Sequence, residues 1–178
     1  VSFMHDGVEM TVDQYCAEGS VAGLIVLQNG TVVYERYGLG NDQTTRWASW
    51  SVAKSITSLL VGAAVHDGYI ESIDEKVTAY LPRLKDSAYE GATIRNLLHM
   101  ASGVEWNEDY VDPQSDVNSV PWGTLPLQRY LRSRGAAAEP GTVFNYNTAE
   151  TNLVGTLLRA AIGNNLSTYL YEKIWQPV

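Results

Sequence analysis

The sequence contains a single cysteine, Cys16, and this scarcity removes two classes of site. A lone cysteine can neither form a disulfide within the chain nor build a thiolate metal cluster. Its expected role is that of a small buried hydrophobic residue.

Residues 1–10 lack the charged start and apolar core of a signal peptide. They also lack an initiator Met, so we expect further residues upstream. Localisation therefore stays open between the cytoplasm of a bacterium and its periplasm or exterior.

Positive charge is also scarce, because 12 Lys and Arg residues stand against 20 Asp and Glu residues, for a formal net charge of −8. Phosphate backbones select basic surfaces, so a nucleic-acid partner is not expected.

The most apolar run, residues 59–65, is far shorter than the roughly 18 residues of a membrane span. The sequence also lacks nucleotide-binding glycine motifs and any H-x-x-x-H spacing. We therefore expect no membrane span, no cofactor and no metal.

Local patterns predict one hairpin and several helices. Two β-rich runs flank Asn29-Gly30 within residues 21–37, a strong signal for a two-residue hairpin turn. Residues 51–65 keep helical spacing and end at His66-Asp67-Gly68, which predicts a helix buried on most of its faces. Further helices are predicted at residues 93–100, 127–134 and 148–161. Residues 104–126 contain three prolines and no periodicity, which predicts a long functional or disordered loop.

Ser51 and Lys54 stand three residues apart at the start of the helix predicted for residues 51–65. Residues three apart share a helix face, so the hydroxyl and the amine can meet. Lys54 is the only charged side chain in the stretch, and burying a charge without a partner is costly. A serine at a helix N-terminus lies beside N–H groups that favour negative charge, and a partly buried lysine can act as a base. The alternative is structural: Ser51 caps the helix and Lys54 extends along the surface.

Tyr146 precedes another predicted helix, in the segment Tyr146-Asn147-Thr148. A phenol at a helix N-terminus can shuttle a proton between a serine oxygen and a leaving group. A structural alternative exists here as well, because Asn147 and Glu150 have the spacing of a capping box and Tyr146 can simply pack.

The loop of residues 104–126 carries aromatic and acidic side chains. Three aromatic residues suit the wall of a substrate pocket: Trp106, Tyr110 and Trp122. Three acidic residues could bind a metal or an amine: Glu105, Glu108 and Asp109. The more common role of acidic residues in a loop is a solvated face.

The order of these pieces resembles the serine β-lactamase and penicillin-binding protein superfamily, and within it the class C-like branch with carboxylesterases and 6-aminohexanoate-dimer hydrolases. The segments that carry the resemblance are VAGLIVLQNGTVVYERYG, WASWSVAKSITSLLVGAAVHDGYI, IDEKVTAYLP, ATIRNLLHMASGV, EPGTVFNYNTAETNLVGTLL and IWQPV. They cover about residues 20–178. The resemblance implies an α/β (α+β) fold of the β-lactamase/DD-peptidase type, with an antiparallel sheet, flanking helices and an all-helical region.

The resemblance also implies roles for individual residues. Ser51 would be the acylated nucleophile, Lys54 its base or the group that keeps the base deprotonated, and Tyr146 the catalytic tyrosine. The N–H of Ser51 would form half of an oxyanion hole. The match at LLHMASGVEW implies that Tyr110 is the loop tyrosine that engages substrate in the amide-hydrolase branch. Thr148 stands where the β-lactamase motif Tyr-x-Asn has its asparagine, which disfavours lactams and favours small esters or linear amides.

The superfamily continues into a C-terminal half that would supply a Lys-Thr-Gly-like motif, the second oxyanion N–H and most strands of the sheet. We therefore expect residues 1–75 to hold the hairpin and nucleophile helix of an α/β domain, and residues 76–178 a mainly helical region. The C-terminal part of the α/β domain would lie on the same protein or on a second polypeptide. Stable folding is expected only with that part as a partner.

The expected function is a serine hydrolase that cleaves small esters or linear amides through an acyl-enzyme on Ser51. Within the same class, the alternatives are a β-lactamase and a D-Ala-D-Ala carboxypeptidase. In another class, the same pocket could serve a non-catalytic sensor of penicillin or a similar ligand.

Overall fold

The structure, a computed structural model, describes residues 2–177, and the chain divides after Ser49 into two compact units. The first unit contains two antiparallel ribbons, β1–β2 and β3–β4. Its elements are β1 (Ser2–His5), β2 (Val8–Thr11), α1 (Val12–Glu18), β3 (Gly23–Gln28) and β4 (Thr31–Tyr37).

The β3–β4 ribbon confirms the hairpin predicted around Asn29-Gly30. Both residues have positive φ, +51° and +77°, as a type I′ turn requires. The pairing runs from Gly23 opposite Tyr37 at the open end to the turn. A ribbon of two strands buries little of its own apolar surface, and the side chain of Leu27 is 59% exposed.

The elements β1, β2 and α1 lie outside the sequence predictions. A capping box starts α1: Thr11 Oγ1 accepts the N–H of Gln14 at 3.2 Å, and Gln14 Oε1 accepts the N–H of Thr11 at 2.8 Å. This T-x-x-Q spacing is readable in the sequence and could have located the helix. Cys16 is buried within α1, as predicted.

The second unit is helical over its described residues. Its α-helices are α2 (Val52–His66), α3 (Val77–Tyr80), α4 (Ile94–Leu98), α5 (Asp116–Ser119), α6 (Thr124–Arg132), α7 (Thr148–Ile162) and α8 (Leu166–Leu170). A 3₁₀ turn at Pro82–Leu84 and a π-helical turn at Tyr171–Trp175 complete it. The four predicted helices are present as α2, α4, α6 and α7. α6 begins three residues before the predicted start, because Pro126 lies in its first turn. The N–H groups of the first turn have no partner inside the helix, so a proline there costs no helical hydrogen bond.

Helix α7 lies at the centre of this unit and packs against α2, α3, α4 and α6. Its leucines at positions 153, 157 and 158 are fully buried. The prediction that α2 is buried on most faces is wrong. Only Leu60, Val61 and Ala64 of that helix are buried, whereas Leu59 is 55% exposed. The reason is that elements within residues 2–177 cover a single stripe of α2.

A short pairing of two chain segments leads into α7. Val104 forms an antiparallel bridge with Ala136. Further along, Met100 O accepts the N–H of Asn145 at 2.8 Å. Because Asn145 directly precedes Tyr146, this pairing fixes the backbone from which the Tyr146 side chain extends.

No helix in the part of the chain that the structure describes is long and apolar enough to cross a membrane. The division after Ser49 groups α2 with the other helices. The layout of residues 1–75 and 76–178 concerns the complete superfamily fold, and it stays a prediction.

Candidate active site

Helix α2 brings Ser51 and Lys54 together, as their spacing predicts. Lys54 Nζ donates a hydrogen bond to Ser51 Oγ at 3.0 Å. Ser51 immediately precedes α2, but its side chain makes no capping bond to the helix. The structure therefore lacks the alternative arrangement, in which Ser51 caps the helix and Lys54 extends along the surface.

Trp50, the residue before Ser51, adopts a left-handed backbone conformation with φ of +43°. A bulky residue in this region is uncommon and costs about 1–3 kcal/mol. Strain of this kind is found at sites where a side chain must be held in a particular direction. Here it lies at the point where the chain turns into the helix that carries Ser51.

Tyr146 reaches Ser51 from the N-terminus of α7, 95 residues further along the chain. Tyr146 Oη donates to Ser51 Oγ at 2.8 Å. Lys54 Nζ also lies 5.2 Å from the centre of the Tyr146 ring. The capping role predicted for Asn147 is present at the same time, because its Oδ1 accepts the N–H of Glu150 at 3.2 Å. Capping of α7 and the contact of Tyr146 with Ser51 therefore coexist.

The environment of Tyr146 favours the phenolate. The hydrogen bond with Ser51, together with the nearby positive charge of Lys54, holds the pKa of Tyr146 below its ordinary value, although partial burial opposes this. A lower pKa raises the fraction of phenolate at neutral pH, and a phenolate can accept the proton of a serine hydroxyl.

Glu108 lies at the N-terminus of α7 rather than on a solvated loop face. Its Oε1 accepts hydrogen bonds from Tyr110 Oη at 2.6 Å and from Thr148 Oγ1. Its Oε2 accepts from the N–H of Thr148 at 3.0 Å and from Trp106 Nε1. The sequence carries no local signal for this cluster, because Glu108 and Thr148 are 40 residues apart.

The remaining predicted substrate-binding residues separate into two places. Tyr110 and Thr148 meet at Glu108, and Thr148 is two residues from Tyr146 along the chain. Trp122 is 85% exposed and lines a cavity of about 170 Å³ with residues of α6 and α7. Among the described residues, no recorded hydrogen bond or aromatic contact joins Trp122 to Ser51, Lys54 or Tyr146. The pocket-wall role of Trp122 stays a prediction.

Metal ligands are not grouped in residues 2–177, where no cluster of three or more His, Cys, Asp or Glu side chains could hold an ion. The polar groups that do converge are a hydroxyl, an amine and a phenol. Such a set can activate an oxygen nucleophile by moving a proton.

The sequence model of the family described as Beta-lactamase matches residues 8–178. The chain belongs to the beta-lactamase family. This confirms the resemblance stated above, and it relates the chain to the serine hydrolases of that family.

Two curated relatives of this beta-lactamase-family chain are, by name, a dimer hydrolase and an aminopeptidase. The chain is 31% identical to a 6-aminohexanoate-dimer hydrolase of Paenarthrobacter ureafaciens, over 94% of this chain and 45% of the relative. It is 28% identical to a D-aminopeptidase of Brucella anthropi, over 85% of this chain and 30% of the relative. The chain thus spans less than half the length of these relatives.

Solved structures confirm the predicted fold class of this beta-lactamase-family chain. A Bacillus anthracis protein provisionally described as a 6-aminohexanoate-dimer hydrolase superposes with a TM-score of 0.76 at 22% identity. The match covers 96% of this chain and 48% of that protein. The described residues therefore have the mixed α/β architecture of about half of a β-lactamase-like fold.

Proposed function

We propose that the chain supplies the nucleophile and the proton-transfer groups of a serine hydrolase that cleaves small esters or linear amides. The observation that supports this most strongly is the meeting of Lys54 Nζ and Tyr146 Oη at Ser51 Oγ, at 3.0 and 2.8 Å. A serine that only caps a helix needs neither partner.

In the proposed reaction, Ser51 Oγ attacks the carbonyl carbon of the substrate. The Oγ–H bond breaks as the Oγ–C bond forms, and the proton passes to the phenolate oxygen of Tyr146. The charge of Lys54 stabilises that phenolate before the transfer. Tyr146 then protonates the leaving alcohol or amine. Water attacks the acyl-enzyme by the reverse proton path and releases the acid and free Ser51.

The environment of Thr148 supports an ester or linear amide substrate over a lactam. Its hydroxyl donates to Glu108, so that hydroxyl can offer a substrate only its oxygen lone pairs. A carboxamide at this position would offer N–H donors as well. The curated relatives, a dimer hydrolase and a D-aminopeptidase, support linear amides among the candidate substrates.

We also propose that residues 1–75 and 76–178 are two regions of a larger fold. Both curated relatives are more than twice as long as the part this chain matches. The additional part would supply the second oxyanion N–H and further strands, on the same polypeptide or on another.

Substitution of the nucleophile tests the proposal. In the protein as its gene encodes it, we expect Ser51→Ala to lower kcat for p-nitrophenyl esters by about 10³-fold or more, and Lys54→Ala nearly as much. Circular dichroism should show an unchanged fold. Ser58→Ala is the matched control, because Ser58 lies on the same helix and its hydroxyl donates only to a backbone carbonyl. Wild-type kcat in Ser51→Ala or in Lys54→Ala would contradict the mechanism.

Mass spectrometry after fluorophosphonate treatment separates the enzyme from a sensor. A covalent adduct on Ser51, together with ester turnover by the untreated protein, supports the hydrolase. Treatment with penicillin is the second arm of the experiment. A penicillin adduct that is never hydrolysed, together with no ester hydrolysis, would instead identify a ligand-sensing module.

A further inference from the structure

Glu108 is a carboxylate whose hydrogen-bonding capacity is used entirely within the chain. A carboxylate offers about four acceptor sites. Glu108 receives four hydrogen bonds: two from Thr148, one from Tyr110 and one from Trp106. No site remains for a metal or for the amine of a substrate. A role in holding protein groups fits these contacts better than a role in binding ligand.

The four donors belong to two segments that are distant in sequence. Trp106 and Tyr110 lie within two residues of Glu108, whereas Thr148 is the first residue of α7. The N–H of a first helical residue has no partner inside its helix, and the helix dipole favours a negative charge there. Glu108 therefore fastens the loop that carries Tyr110 to the N-terminus of α7.

The same carboxylate acts electrostatically on Tyr146, which lies two residues before Thr148. Glu108 raises the pKa of Tyr146, against the lowering effects of Ser51 and Lys54. Burial disfavours the charge of Glu108. The hydrogen bonds from Thr148 and Tyr110 outweigh that effect, and the pKa of Glu108 is held below its ordinary value. The charged or titratable groups that act on these two phenols are Lys54 from α2, Glu108 itself and, for Tyr110, the phenol of Tyr146.

We propose that Glu108 is a positioning residue that holds Tyr110 beside the N-terminus of α7 and places a fixed negative charge at Thr148, two residues from Tyr146. This inference rests on the proposed function of Ser51, Lys54 and Tyr146. It assigns to one carboxylate both the placement of the loop and the tuning of the proton acceptor.

Glu108→Gln separates charge from geometry. The glutamine oxygen can still accept from Trp106 Nε1 and from the N–H of Thr148. Its amide can donate to the hydroxyls of Tyr110 and Thr148, which can rotate to accept. We expect the acidic limb of the kcat/KM profile to move to lower pH by about 0.5 unit or more, because Tyr146 loses a neighbouring negative charge. KM should stay within about twofold of wild type, since the contacts persist.

Glu108→Ala removes both effects, and we expect KM for an amide substrate to rise by about tenfold as Tyr110 is released. Tyr110→Phe should raise KM without moving the acidic limb. Glu105→Gln is the matched control, because it removes an exposed acid three residues away, and it should change neither quantity.

Fluorophosphonate labelling of the wild type keeps the two proposals distinguishable. Failure to label Ser51 would count against the proposed function before any Glu108 variant is made. With Ser51 labelled, an unmoved acidic limb in Glu108→Gln would overturn the assignment to Glu108. So would an unchanged KM in folded Glu108→Ala. A shifted limb in Glu108→Gln supports the assignment even if Glu108→Ala does not fold.

Discussion

At the scale of single residues, Glu150 is the buried group that the proposed chemistry leaves unused. It lies in the first turn of α7 with its side chain 1% exposed. Burial raises the pKa of Glu150 to about 8, and the opposing effect of the nearby Ser102 hydroxyl is smaller. Within the described residues, its Oε2 has no hydrogen-bond partner, and neither does Tyr89 Oη. Glu150 also donates its backbone N–H to Asn147, so its environment bears directly on the residue that follows Tyr146.

The raised pKa of Glu150 predicts a pH-dependent stability. Between the ordinary glutamate pKa of 4.5 and the raised value of about 8, the folded state binds one proton more than the unfolded state. The free energy of unfolding should therefore fall as pH rises through this window, by about 5 kcal/mol in total, and this contribution should be flat on either side. Glu150→Gln should remove the fall and stabilise the protein at pH values above the window.

Urea unfolding from about pH 4 to about pH 9 measures the contribution of Glu150. Glu71→Gln is the control, because it removes an exposed glutamate at a helix-free position. Identical pH slopes in wild type and Glu150→Gln would show that folding does not shift the pKa of Glu150, which would contradict the prediction.

At the residue scale, the sequence predicts which side chains lie together where local spacing or a family motif connects them. Ser51 and Lys54 share a helix face, and Tyr146 stands in a motif that precedes a helix. Their catalytic roles stay predictions, but the structure does bring the three side chains together. Glu108 and Glu150 were not predictable in this way. The first is defined by a partner 40 residues away, and the second by burial, which appears only when the helices pack.

At the scale of elements, the pairing that leads into α7 depends on Gly103. This glycine has φ of +78°, and a Cβ there would lie 2.1 Å from the carbonyl oxygen of Ala138. Gly103→Ala should therefore lower the free energy of unfolding by about 2–4 kcal/mol. It should also reduce activity, because the pairing fixes the backbone next to Tyr146.

Gly155→Ala provides the matched control for Gly103→Ala. Gly155 lies inside α7, and no atom would approach an added Cβ within 4 Å. Alanine there should stabilise the protein by up to about 1 kcal/mol. Thermal unfolding of both variants tests the pair, and equal stability of Gly103→Ala and wild type would contradict the argument.

Elements were predictable where a local signal is strong. The Asn29-Gly30 turn located the β3–β4 hairpin, and the helices predicted at residues 93–100 and 148–161 are present as α4 and α7. The burial of α2 was mispredicted. Apolar residues on several faces of a helix indicate that those faces can be buried, but not that residues 2–177 contain the elements that bury them. Helix α5 is a single turn inside a segment rich in proline, and its sequence has too few residues to show periodicity.

At the scale of the whole molecule, each unit carries apolar surface that no described residue covers. On β3, Ile25 and Leu27 are more than half exposed, and on α2 so are Val52 and Leu59. Contiguous apolar patches of this kind usually mark contacts with further polypeptide. The relatives, with their greater length, have additional chain that could provide it.

The exposed apolar surface predicts the behaviour of the 178-residue chain by itself. We expect strong binding of a hydrophobic dye and concentration-dependent association in analytical ultracentrifugation. Addition of the polypeptide that completes the length of the relatives should suppress both. A monomer that unfolds cooperatively and binds no dye would contradict this expectation.

The division of the chain after Ser49 has a consequence for how the proposed hydrolase can change in evolution. Ser51, Lys54 and Tyr146 all lie on the helical side of that division. The relative positions of these three side chains do not depend on how the strands of the first unit pair. Insertions, register slips or exchanged ribbons in the first unit leave the contacts among Ser51 Oγ, Lys54 Nζ and Tyr146 Oη unchanged. The groups proposed for proton transfer therefore belong to one unit, and sequence changes in the other unit need not disturb them.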